Sequence, residues 1–221
     1  MTDVDATEIK AARADSGNAI SFVTFVVKAA ADVIAAFPEA CAVLKDGFRP
    51  KLATVPEISA KVLFDKEIRG RRCVVSGTVE DAQHRSLTEI QSAIDEYKRA
   101  EVAQSGPFSA LWKLQRLPLP LLQLVYRAVL RNPARRAKLQ GTFSVTSAGQ
   151  ESVRAILPMI AGTVGLGIGR IADMPVVRAG QVIAAPILIL SLTFDHRVID
   201  GALASELLAG IKSRLESWRN S

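Results

Sequence analysis

Helix-period and strand-period stretches alternate along the whole chain. Ala6 to Ser16 has helical composition and stops at the turn signal Ser16-Gly17-Asn18. Ser21 then caps a long helix that Pro38 ends. Phe22, Phe25, Val26, Ala29, Val33 and Ala36 recur on one face of it, and so few charges occupy the others that burial on most sides is expected. From Cys41 to Thr78 the texture shifts to β-branched residues broken at Asp46-Gly47, Pro50, Pro56 and Arg69-Gly70, which predicts short strands and hairpins. Ser86 and Glu89 fit a capping box for a second long helix reaching Gln104, with Leu87, Ile90, Ile94 and Tyr97 inward.

Pro118 and Pro120 divide the stretch 106–140 into two short amphipathic helices, Pro120 being suited to a first turn. Strands are expected at Thr142–Thr146 and Thr163–Ile171. Pro175–Arg178 should pair as a hairpin with the start of Val182–Phe194. That last run is apolar on both alternating faces, the mark of a central strand. Asp200 caps a final helix with the stripe Leu203, Leu207, Leu208, Ile211, Leu215 and Trp218. The order is that of an α/β protein: one domain over residues 1–221, a mixed central sheet flanked by helices.

Composition agrees with a folded chain and adds a reading of compartment. Hydrophobic residues are 49% and charged residues 23%, too apolar for disorder. Two cysteines, Cys41 and Cys73, are too few for a disulfide framework and lack metal-ligand spacing, so no metal is expected. The opening MTDVDATEIK has no apolar h-region, and the longest uncharged run, Ala179–Phe194, is broken by Gly180 and Pro186. A reduced cytoplasmic protein is expected.

The net charge of +6 is local. Between Val102 and Gln150 there is no Asp or Glu but seven basic residues: Lys113, Arg116, Arg127, Arg131, Arg135, Arg136 and Lys138. The remainder holds 21 basic against 22 acidic residues, a net of −1. A uniformly basic surface would suggest nucleic acid; one basic, leucine-rich element does not. Either it caps the domain's own site entrance, burying Leu111, Leu114, Leu121, Leu122 and Leu124, or it meets an anionic surface. Self-capping is the first expectation. The anionic alternatives are a lipid headgroup layer, an acidic carrier protein or the phosphates of coenzyme A.

Of the two histidines, His84 lies in a polar turn and reads as surface. His196 sits where the apolar strand gives way to the last helix, the position at which α/β proteins place reactive groups and where a histidine can act as general base. On position alone a structural histidine beside a capping Asp200 is an equal reading. The glycines of Gly165-x-Gly167-x-Gly169 lie in a strand and precede Arg170, so they suit close packing rather than dinucleotide binding.

Asp195-His196-Arg197-Val198-Ile199-Asp200-Gly201 resembles the His-x-x-x-Asp-Gly signature of the chloramphenicol acetyltransferase-like fold. In its full form it resembles the catalytic domain of the 2-oxo acid dehydrogenase acyltransferases (E2 components). Gly141 to Gly149 is similar to that family's GTFTxSNxG strand, and Val164 to Ile171 to its segment ending in GxGRI. The resemblance implies a chloramphenicol acetyltransferase-like fold. It also implies acyl transfer between a thioester, on coenzyme A or a carrier, and a thiol or hydroxyl acceptor.

In that reading His196 is the general base, Asp200 holds the loop, and Thr146 stands where the family mostly has an oxyanion-stabilising serine. Ser144, Ser147 and Gly201 are substrate-binding candidates. The resemblance further implies a homotrimer or larger assembly, with His196 of one subunit facing Thr146 of the next. Against it, there is no room for a lipoyl or subunit-binding domain, no arginine precedes Arg13 to partner Asp200, and the basic segment replaces a short polar connection. The alternative is therefore a catalytically inactive, trimeric scaffold of the same fold.

Overall fold

Strand β9 (Gln181–Phe194) organises the computed structural model, which describes residues 1–45, 51–68, 70–102, 106–109, 113–114, 116–132, 135, 140–148, 151–160 and 162–218. β9 is long enough to serve three neighbours. Its Ile187–Leu190 pair antiparallel with β1 (Thr2–Asp5). On its opposite edge, Gln181–Ile187 pair with β8 (Ala172–Arg178) and Leu190–Phe194 with β7 (Val164–Ile168). β7 lies parallel to β6 (Phe143–Ser147), β6 parallel to β4 (Ala60–Ile68), and β4 forms a hairpin with β5 (Arg71–Val79). The result is a seven-stranded mixed sheet in the order β1-β9-β7-β6-β4-β5, with β8 beside β9. β2 (Ala42–Lys45) and β3 (Lys51–Thr54) form a separate ribbon.

One face of the sheet is closed by helices. α2 (Phe22–Ile34) starts where the Ser21 side chain accepts the Thr24 N–H, and it is buried nearly all round, through Phe25, Val26, Ala29, Ala30 and Ile34 among others. It packs on α5 (Gly201–Glu216), whose Leu207, Ile211 and Leu215 are fully buried, and Trp218 meets Phe25 edge to face at 4.9 Å. α1 (Thr7–Asp15) and α3 (Leu87–Arg99) complete the layer. The capping box on α3 is present: Ser86 Oγ accepts from Glu89 N, and Ser86 N donates to the Glu89 carboxylate at 2.8 Å. α3 ends at Arg99 rather than Gln104, with Ala100 already extended.

The other face is crossed by chain without regular structure. Parallel neighbours β6 and β7 need a crossover, and the described residues 151–160 supply it as coil. Ser191 Oγ donates to Ile156 O, and Thr193 Oγ1 donates to Pro158 O at 2.9 Å. A Cβ on Gly165 would lie 2.5 Å from Ile160 Cγ2, and one on Gly167 would collide with the Ile156 carbonyl. Only glycine lets the crossover lie this close, so the glycine triplet does serve packing.

α4 (Leu119–Arg131) has Pro120 in its first turn. Its predecessor in the basic segment falls largely on undescribed residues. Asp46-Gly47, Pro50, Arg69, Leu111, Trp112, Arg136, Lys138 and Gly149 likewise lie outside the described residues. Self-capping is not what α4 does. Leu119, Leu121, Leu124 and Tyr126 are exposed, and Leu122 is only half-buried. The apolar arc of this helix is wider than the surface it touches.

Candidate active site

The turn after β9 is fixed by its own polar groups. Asp195 N donates to Thr163 O at 3.0 Å, and Val198 N donates back to Asp195 O at 2.9 Å. The Asp195 carboxylate accepts from Arg197 N, Nε and Nη2 at 3.0, 2.9 and 2.7 Å. This clamp leaves His196 at the apex, exposed, with its ring tilted against Phe194 at a centroid distance of 5.3 Å. Asp200 Oδ1 accepts Leu203 N at 2.9 Å as the N-cap of α5. No arginine or lysine pairs with Asp200 among the described residues. Gly201 begins the helix with open space around it. The second histidine, His84, is exposed and bound to Asp81 at 2.7 Å.

Thr146 lies elsewhere. In β6, Phe143 and Val145 are fully buried toward the helices, so Ser144 and Thr146 point to the crossover face and Ser147 back to the helical side. Thr146 is level with Gly167 in β7, and Gly167 with Ser191 in β9. His196 follows Ser191 by five residues. At about 3.3 Å per residue the two side chains are separated by on the order of 15 Å along the sheet. A single chain thus holds the imidazole at one end of the strands and the hydroxyl near the other.

Two adjoining clefts open at the Ser147 end. One, about 450 Å³, lies between β4 and α3 and includes Phe64, Lys66, Arg72, Ile94 and Ser147. The other, about 390 Å³, includes Arg13, Phe22, Lys98, Ser147, Gly169 and Arg170, and no carboxylate lines it. The Arg13 guanidinium stacks over Phe22 at 4.8 Å, and its buried Nε has no hydrogen-bond partner. Sequence reading missed this cationic cleft. Its residues come from α1, α3 and the chain after β7, and no local pattern connects them. Lys61, the ladder partner of Ser144, has its ammonium pKa lowered by burial.

The seven-stranded sheet with its helical layer is the chloramphenicol acetyltransferase-like fold. A chloramphenicol acetyltransferase superposes with a TM-score of 0.54 at 14% identity, covering 98% of this chain and 85% of that one. A chain from the cubic core of the pyruvate dehydrogenase multienzyme complex superposes with a TM-score of 0.73 at 19% identity, covering 99% and 81%. A probable dihydrolipoamide acetyltransferase from Listeria monocytogenes 4b F2365 gives 0.68 at 21% identity, covering 98% and 82%.

Sequence narrows the class. The family model of the 2-oxoacid dehydrogenases acyltransferase (catalytic domain) matches residues 124–221. The dihydrolipoyllysine-residue acetyltransferase component of the Bacillus subtilis (strain 168) pyruvate dehydrogenase complex is 30% identical over 227 residues, 97% of this chain and 43% of that protein. Its Staphylococcus aureus counterpart is 54% identical over 52 residues, 24% of this chain and 12% of that protein. The chain is a relative of these acyltransferase catalytic domains, and it spans less than half the length of the Bacillus protein.

Proposed function

We propose that the chain is an acyltransferase that moves an acyl group between a thioester, on coenzyme A or a carrier, and a thiol or hydroxyl acceptor. The observation that carries this reading is the clamped turn after β9, which presents an exposed His196 imidazole within the fold of acyltransferase catalytic domains. The imidazole takes the proton of the acceptor as its sulfur or oxygen attacks the thioester carbonyl. The Thr146 hydroxyl donates to the oxyanion of the tetrahedral intermediate. Collapse expels the thiolate, which recovers the proton from the imidazolium. General-base catalysis contributes about 10²–10⁴-fold, and the oxyanion donor about 10²–10³-fold. Arg13, Lys98 and Arg170 give the second cleft the charge to take the phosphates of a coenzyme A thioester.

The separation of His196 from Thr146 within one chain supports a site completed by a second subunit, in a homotrimer or higher assembly. Val177 and Val182 on the β8–β9 hairpin, with Leu157 and Met159 on the crossover, offer exposed apolar surface for such an interface. The test is intersubunit complementation. His196→Ala and Thr146→Ala chains are each expected to lose acetyl-coenzyme A thioester turnover. Unfolded and refolded together, they should regain about a quarter of the parent's rate, because random mixing in a ring leaves that share of sites intact. Unaltered turnover in His196→Ala would remove the enzymatic reading. No turnover in the parent, with coenzyme A still bound, would leave the scaffold.

A further inference from the structure

Three polar side chains meet on the crossover face of the sheet without partners. Ala60, Val62 and Phe64 are buried toward the helices, so Lys61 points to the opposite face. It is level with Ser144, and Thr146 is its diagonal neighbour on that face, about 7–8 Å away and within reach of a long side chain. Ser144 is 7% exposed, with its Oγ beside Gly165. Among the described residues no hydrogen bond or ion pair engages the Lys61 ammonium, the Ser144 hydroxyl or the Thr146 hydroxyl. The base of Lys61 is fixed by Gly141, which has a φ of +73°; a Cβ there would lie 2.8 Å from Lys61 Cβ. Lys66, further along β4, is engaged instead: it donates to the Lys98 and Ala100 carbonyls.

We infer that Lys61 is an acyl acceptor within the chain, its amine taking the acyl group of a thioester whose carbonyl oxygen rests on Thr146. The inference depends on the part of the proposed function that puts the oxyanion on that hydroxyl. The free amine attacks the thioester carbonyl carbon and the N–C bond forms. The C–S bond breaks, and the proton given up by the amine leaves with the thiolate. The products are an N-acyl-lysine and a free thiol. Two properties suit Lys61 to this step. A half-buried ammonium with no counter-charge has little to hold it in the charged form. Burial accordingly lowers its pKa, which raises the share of uncharged, nucleophilic amine near neutral pH.

Site-resolved mass spectrometry of the full chain, incubated with acetyl-coenzyme A at pH 8, tests it. Lys61 should acetylate at least about tenfold faster than the exposed Lys10, because its thioester is already in place. The excess should saturate with acetyl-coenzyme A and vanish in urea, where both amines meet the thioester only from solution. Thr146→Ala should slow Lys61 by at least about tenfold and leave Lys10 alone, while Thr146→Ser, which keeps the hydroxyl, should retain most of the rate. Equal rates at the two lysines would show an ammonium that merely reaches out to water, and would overturn the inference. So would a Lys61 rate indifferent to Thr146→Ala, or acyl label on Ser144 as a hydroxylamine-labile ester in place of the amide. Acetylated Lys61 in a chain with no thioester turnover would sink the acyl-transfer reading alone. Turnover with Lys61 unmodified would sink this inference alone.

Discussion

Gly167→Ala should be among the most damaging single-methyl additions to this fold. The new Cβ would sit 3.0 Å from the Ile156 carbonyl carbon and closer still to its oxygen and to Ser191 Oγ. Two of these three neighbours belong to backbone, so rotamer changes cannot relieve the overlap. The crossover has to lift by about 1 Å to restore ordinary contact distances. Lifting it weakens the Ser191–Ile156 and Thr193–Pro158 hydrogen bonds, each worth about 1 kcal/mol net, and overpacking adds about 1–3 kcal/mol. The sum, about 3–5 kcal/mol, corresponds to a fall in Tm on the order of 10 °C for a domain of this size. Two controls grade the effect. Gly201→Ala meets open space and should be near neutral. At Gly210 the Cβ would lie 3.0 Å from Val33 Cγ1, a contact offset by the gain in helix propensity. Thermal melts followed by far-UV circular dichroism read all three. A Gly167→Ala protein melting within about 2 °C of the parent, at most about 1 kcal/mol by the same scaling, would refute the close-packing argument.

Asp200→Ala should cost about 1 kcal/mol through loss of the α5 cap, whereas Asp200→Asn keeps an acceptor and should cost much less; equal urea midpoints for the two would remove the capping role. The hydrogen bond from Ser86 N, then that from its hydroxyl, holds the Glu89 carboxyl below its ordinary value of 4.5. A depressed folded pKa means the stabilisation is present above that value and is lost as pH falls through the folded one. Glu89→Gln should therefore flatten the decline in urea stability below about pH 4.5, and an unchanged acid limb would contradict it. Burial, aided by Glu39, pushes the Cys41 thiol up to about 11. At pH 8 iodoacetamide should alkylate Cys73 well before Cys41, with both reacting once the chain is unfolded; equal rates in the folded protein would show Cys41 to be accessible.

The helices were the most legible part of the chain because their information is local. Ser21, Ser86 with Glu89, and Asp200 each announce a start, and the side chains cap as the residue types dictate. Leu207, Ile211 and Leu215 are buried because they fall on one stripe. β1 was not legible. Thr2-Asp3-Val4-Asp5 has one apolar residue, and only pairing with Ile187–Leu190, far along the chain, makes it a strand. The hydroxyls of Ser191 and Thr193 were visible in an otherwise apolar strand, but their purpose requires knowing that the crossover passes over them. At the site, the turn around His196 is encoded in consecutive residues. The cationic cleft is assembled from distant ones. The leucines of α4 misled for a physical reason: an apolar arc calls for a partner and does not say that the partner is in the same chain.

The place of β9 in the sheet has a consequence for how the protein is made. β1 precedes every other strand of the sheet in the chain, and among the described residues its one sheet partner is β9, the last strand. The carbonyls of Ile156 and Pro158 wait for the same strand to bring Ser191 and Thr193. The first strand therefore has no native sheet partner until β9 is made, whereas the crossover already lies on the glycines of β7 and waits only about 35 residues, from Ile156 to Ser191, for its side-chain donors. Pairing β1 with β9 is thus a late, long-range closure, and slow for that reason. A protein wired this way keeps the β1 side of β9 unformed until Ile187–Leu190 have been made.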